Sequence, residues 1–169
     1  MFLPSWPCSL LEPALLWPLL RRVRLLKIQK SCNVTAGSGS NIDLGIQDSS
    51  ATNLSGTSNI SVTCANKTPY NIGLLPSAAN GGTNAGTGNL GPLNVAPVTG
   101  NTDKVPYVLH SVSAAGAAWG DTATSIAVGN GVSGTGTGVA QSIPVFATAA
   151  SANYTPDSYA DTVTIHVNF

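Results

Sequence analysis

Residues 159–169 read YADTVTIHVNF. From Val163 onward the side chains alternate: Val163, Ile165, Val167 and Phe169 fall on one side of an extended backbone, Thr164, His166 and Asn168 on the other. Period-two alternation with β-branched residues is the signature of a strand with one face buried. This is the cleanest strand in the chain, and the sequence stops at its last residue.

Working back from it, the same period recurs in shorter runs. Ile60, Val62 and Cys64 share one face, opposite Asn59, Ser61 and Thr63. Tyr70, Ile72 and Leu74 alternate with Asn71, Gly73 and Leu75, and Val105, Tyr107 and Leu109 with Pro106, Val108 and His110. Ile143, Val145 and Ala147 make another short run. The stretch from Asn33 to Gly56 is polar and turn-rich, apart from an apolar patch at Ile42, Leu44 and Ile46. Pro76–Asp103 and Gly129–Gly138 are rich in Gly, Asn, Ser and Thr and read as long loops. No helix pattern follows residue 30. Many short strands separated by turn clusters predict an all-β sandwich. An immunoglobulin-like sandwich normally closes with a strand paired to the one before it. The expectation is therefore an incomplete immunoglobulin-like β-sandwich lacking its final strand. Its open edge and apolar groove would be formed by Val163, Ile165, Val167 and Phe169, and such an edge invites another chain to pair with it.

The composition suits repeated packing against copies. Charged residues make up only 8% of the 169 residues, against roughly 25% in ordinary soluble domains. The zero net charge hides an asymmetry. Arg21, Arg22, Arg24, Lys27 and Lys30 precede residue 31, and beyond it Lys67 and Lys104 face six aspartates, a net charge of −4. A body this acidic has no electrostatic footprint for nucleic acid. Of Cys8, Cys32 and Cys64, the last two sit in strand-like contexts, with no C-x-x-C pattern and no histidine near either in sequence. That argues against zinc and for a Cys32–Cys64 disulfide, hence for an oxidising compartment and export.

Residues 1–30 fit export badly. A secretory signal places positive charge before the apolar stretch, whereas here the arginines follow it. Pro4, Pro7, Pro13, Pro18 and Glu12 interrupt the apolar run, so it makes no stable membrane span. The segment reads either as a mis-assigned start of the gene or as an atypical leader, preceding a domain over 31–169.

The motifs along 31–169 resemble the spore coat protein U domain family, the Csu-type archaic chaperone–usher pilins. Ser31-Cys32-Asn33-Val34 is similar to the first cysteine strand, and Leu44-Gly45 resembles an aromatic-Gly pair with Leu in the aromatic place. Ile60–Cys64 followed by Pro69–Leu74 resembles the second cysteine strand and its successor. Val105–Leu109 resembles a Y-x-L segment, with His110 where the family often has an aromatic. Trp119-Gly120-Asp121 is similar to the family's W-G-D, and Tyr159–Val163 to its closing Y-x-D-T-V strand. The resemblance implies a pilus subunit that folds in the periplasm with a chaperone, passes an outer-membrane usher and polymerises with neighbouring pilin subunits through donor strands. Such fibres serve attachment and biofilm formation at the cell surface. Family subunits carry a donor strand just before the first cysteine. Here that place holds Val23, Leu25 and Lys27 on one face and Leu26, Ile28 and Lys30 on the other, a poor alternating donor whose charges are costly in an apolar groove.

Catalytic and metal chemistry find little footing. His110 and His166, the only histidines, lack a partner close in sequence, and no nucleophile elbow occurs. Gly134-Thr-Gly136-Thr-Gly138 lacks the Lys-Ser/Thr of a phosphate loop. Asp121 and Asp161, each followed by Thr, read as turn caps. Neither a cofactor nor a metal is expected, and no enzyme activity. Trp119 has two readings, a packing anchor at a loop end or a platform for stacking a sugar. The alternative to a fibre subunit is a tip adhesin or carbohydrate-binding module, which needs no donor strand of its own and so suits the odd N-terminus, or a spore or cyst coat component.

Overall fold

A computed structural model describes residues 26–169. Among the described residues nine strands form two antiparallel sheets, with two short 3-10 turns at Ser38–Ser40 and Ala78–Asn80. The strands are β1 (Cys32–Thr35), β2 (Thr52–Cys64), β3 (Pro69–Pro76), β4 (Thr87–Pro92), β5 (Val105–Ser111), β6 (Val132–Thr135), β7 (Gln141–Ser151), β8 (Tyr159–Ala160) and β9 (Val163–Asn168). The larger sheet runs β1-β2-β7-β5-β4-β8 and the smaller β6-β3-β9. The fold is an immunoglobulin-like β-sandwich.

The alternating runs supply its core. Ile60 and Val62 of β2, Val105, Tyr107 and Leu109 of β5, and Val145, Ala147 and Ala149 of β7 are buried against Tyr70, Ile72 and Leu74 of β3. Cys32 lies opposite Cys64 in the β1–β2 register, and their sulfurs are bonded at 2.03 Å. Closing that 32-residue separation stabilises the fold by roughly 3–4 kcal/mol in the chain-entropy account.

Three sequence expectations need correction. The Pro76–Asp103 stretch is not a plain loop, because β4 lies within it and pairs with β5 and β8. Gly129–Gly138 likewise contains β6, paired with β3. Both strands escape a hydrophobic-period search because glycine occupies their close contacts. A Cβ on Gly88 would come 2.8 Å from Pro76 Cβ, and one on Gly134 would come 2.3 Å from the Tyr70 ring. The aromatic of the neighbouring strand fills the space that a side chain would take. Finally, Tyr159–Val163 is not one strand. β8 joins the larger sheet at β4, whereas β9 joins the smaller at β3, so the chain changes sheets at Asp161-Thr162.

Trp119 is 0% exposed, and its indole N–H donates to the Ile72 carbonyl at 2.9 Å. It is a core anchor between the sheets. The sugar-stacking reading is thereby withdrawn, since no face of the ring reaches solvent. Just after it, Asp121 crosses the outer face of the small sheet over Gly73, where a Cβ would come 2.1 Å from the carboxylate. There Asp121 meets His166 at 2.8 Å, on the strand beside Gly73. Asn71 and Asn168 bind the carbonyls of Thr124 and Ala123, fastening the loop after Asp121 to the same face.

Candidate functional site: a cleft beside the edge strand

Among the described residues β9 is paired on one side only, with β3. The geometry of β3 shows which groups of β9 lie on the free side. The Leu74 N–H turns away from β9 to donate to Gly120 O at 3.0 Å, and Pro76 has no N–H to give. Their register partners are Ile165 and Val163. Antiparallel pairs alternate between hydrogen-bonded and non-bonded, so Val163, Ile165 and Val167 direct their backbone N–H and C=O toward the open edge. His166, opposite Gly73, faces the ladder.

A cleft of about 910 Å³ opens between the sheets beside this edge. Its floor is core surface: Ile60, Leu74, Val105, Tyr107, Leu109 and Val145. Val163 and Ile165 form part of one wall. Val167 packs on the core outside the cleft lining, and Phe169 lies past the end of β9, 43% exposed. Of the four residues expected in a groove, two therefore line it.

The opposite lip is the segment Ser40–Gln47, which is not a strand. Ile42 and Leu44 pack toward the core while Asp43 between them is exposed. Gly56 of β2 admits this segment, since a Cβ there would come 2.4 Å from the Asp43 carbonyl. The sequence showed the Ile42–Leu44–Ile46 period but nothing that marked it as a lip, and Ile46 is fully exposed.

The far end of the cleft is built by the turn between β7 and β9. Tyr154 and Tyr159 meet edge to face, ring centroids 6.5 Å apart. The Asp161 carboxylate accepts from the Tyr107 hydroxyl at 2.7 Å and from the Asn80 amide at 2.8 Å. It is thus a tie between sheets, not the local turn cap expected from its neighbours in sequence. Burial, then the bond and charge of Asp161, pushes the Tyr107 phenol far above its ordinary value. Asp157 accepts from the backbone N–H groups of Asn94, Val95 and Ser158 and from the Asn101 amide. Desolvation pulls its pKa up, but these donors outweigh it and hold the carboxyl below the ordinary range.

The arrangement sets a strand edge that is paired on one side, among the described residues, beside an apolar cleft floor. The His110 Nδ1 lies 2.9 Å from the Gly116 carbonyl, which can only accept, so that nitrogen carries a proton, and Nε2 is hydrogen-bonded to the Thr148 hydroxyl at 2.9 Å. His166 is engaged by Asp121. Among the described residues no group of three or more His, Cys, Asp or Glu is placed to hold a metal, and no helix is long and apolar enough to cross a membrane.

The family model of the Spore Coat Protein U domain matches residues 20–166. Among solved structures, the CsuC–CsuE chaperone–tip adhesion subunit pre-assembly complex from the archaic chaperone–usher Csu pili of Acinetobacter baumannii contains a similar chain. The likeness has 20% identity and a TM-score of 0.47, and covers 84% of this chain and 40% of that one. This protein therefore spans less than half the length of that chain. No curated protein matches the sequence.

Proposed function

The chain belongs to the Spore Coat Protein U domain family, and from that membership and the open cleft we propose that it is a structural, non-enzymatic subunit of a secreted surface fibre. In this reading residues 31–169 are a pilin domain one strand short. A neighbouring subunit supplies an extended segment that lies along β9 and fills the cleft. Before assembly a periplasmic chaperone occupies the same place, and an outer-membrane usher exchanges it for the neighbour. The fibre serves attachment and biofilm formation at the cell surface.

The observation that carries this is the coincidence of a β9 edge unpaired among the described residues with apolar floor residues beneath it. A strand laid there would gain main-chain hydrogen bonds to Val163, Ile165 and Val167 and bury its inward side chains. Four or five apolar side chains at roughly 1.5–3 kcal/mol each give a gross gain near 10 kcal/mol, before the costs of ordering. The reading is tested by fusing an alternating apolar segment through a flexible linker after Phe169. The fusion should unfold at a distinctly higher temperature than the parent. Equal midpoints would refute it. The tip-adhesin alternative needs no donor strand of its own and so fits the poor donor segment before Cys32, but it has no stacking platform in Trp119, which is 0% exposed.

A further inference from the structure

The cleft carries charge as well as apolar surface. Among the described residues its lining includes Asp43, Asp157 and Asp161, and no Lys, Arg or His. The three carboxylates differ in what they have left to offer. Asp161 is taken up by Tyr107, Asn80 and the Ser77 N–H, and Asp157 by four donors. Asp43 accepts, among the described residues, only the Gly45 N–H on Oδ1. It stands exposed on the lip, with its neighbours Ile42 and Leu44 turned to the core.

Residues 20–30, LRRVRLLKIQK, have the opposite character, with five basic residues among apolar ones. The described part of this segment has no regular secondary structure, with Leu26 84% and Ile28 81% exposed, so it buries little against its own domain. A strand lying in a cleft sends alternate side chains inward and the rest toward the lips. A cation forced among apolar groups is costly, but one that reaches a lip carboxylate gains attraction and sets register. The mixed faces that make this segment a poor donor for a neutral groove suit a groove with an acidic lip.

Resting on the reading that the cleft accepts a strand, we propose that Asp43 is a specificity determinant of the cleft. Its carboxylate, which shares the cleft lining with Asp157 and Asp161, selects an incoming segment with Lys or Arg at lip-side positions, and the segment it fits is residues 20–30 of a second copy of this chain.

The test uses the full chain, diluted until light scattering reports monomer, and two fluorescent peptides. One is the sequence 20–30; in the other its basic residues are Gln. The basic peptide should bind roughly tenfold more tightly, and the preference should shrink at high salt. Asp43→Asn should weaken the basic peptide by roughly two- to fivefold and leave the neutral one unchanged. Asp48→Asn, an exposed acid outside the cleft lining, should alter neither. Equal affinity for the two peptides overturns the proposal, as does an Asp48→Asn loss equal to that of Asp43→Asn. If the fused segment after Phe169 still raises the unfolding temperature, only charge selection has failed. If it does not, and neither peptide binds, the strand-accepting reading falls with it.

Discussion

The Tyr107 hydroxyl donates to the Asp161 carboxylate at 2.7 Å, across 54 residues of chain, where β8 in one sheet gives way to β9 in the other. The bond fixes the position of β9 relative to the large sheet, and so the width of the cleft at that end. Tyr107 is 4% exposed, so Tyr107→Phe leaves the packing and removes only the donor. Unfolding in urea should show a loss of about 1–2 kcal/mol. Asp161→Ala should cost more, because it also strands the Asn80 amide. No change in either variant would mean that the tie does not hold the sheets together.

Tyr107 also sets an alkaline limit. Its folded pKa is raised, so the native state keeps a proton that the unfolded chain releases near pH 10. The stability from this group is whole below that pH and is lost progressively above it. Thermal midpoints of the parent should fall more steeply above about pH 10 than those of Tyr107→Phe.

The acid side runs the other way. Asp157 and Asp103 have folded pKa values below ordinary, Asp103 through the backbone and hydroxyl donors of Thr155 and Asp157 through the donors described above. Their contribution is present above the unfolded carboxylate range, about pH 4, and disappears as pH falls through the lower folded values. Asp157→Asn should flatten the acid limb of the midpoint-versus-pH curve. An unchanged limb would assign the acid sensitivity elsewhere.

Trp119→Ala empties the largest fully buried side chain and leaves the Ile72 carbonyl without its indole donor. Its cost should be about 3–5 kcal/mol by chemical denaturation. Reducing the Cys32–Cys64 bond should cost roughly 3–4 kcal/mol, read as a lower midpoint in the presence of thiol.

The strands that could be read in the sequence are those whose inward positions carry alternating apolar groups: β3, β5, the second half of β2, the middle of β7, and β9. The strands that could not be read, β4 and β6, use glycine where a neighbouring aromatic fills the gap. For Gly88 that neighbour is Tyr107, and for Gly134 it is Tyr70. No period of hydrophobicity reports a side chain that is absent. The cleft was legible from one wall only. Val163 and Ile165 announced themselves by alternation, whereas Asp161 pairs with a tyrosine far away in sequence and Asp43 acquires its place from a non-strand segment seated on Gly56. Such relationships arise in tertiary packing, and local spacing carries no trace of them. Of residues 1–30, which the sequence set apart as atypical, 1–25 lie outside the described residues.

The central claim, that β9 offers an unpaired edge to an incoming strand, is tested most directly by amide hydrogen exchange at neighbouring positions of β9. In the free chain the Ile165 and Val167 amides should exchange quickly, while His166, bonded toward Gly73, exchanges slowly. Fusing the alternating segment after Phe169 should bring Ile165 and Val167 to the protection of His166. If Ile165 is already as protected as His166 in the free chain, or stays fast when the segment is attached, the edge is not the place where a second strand binds.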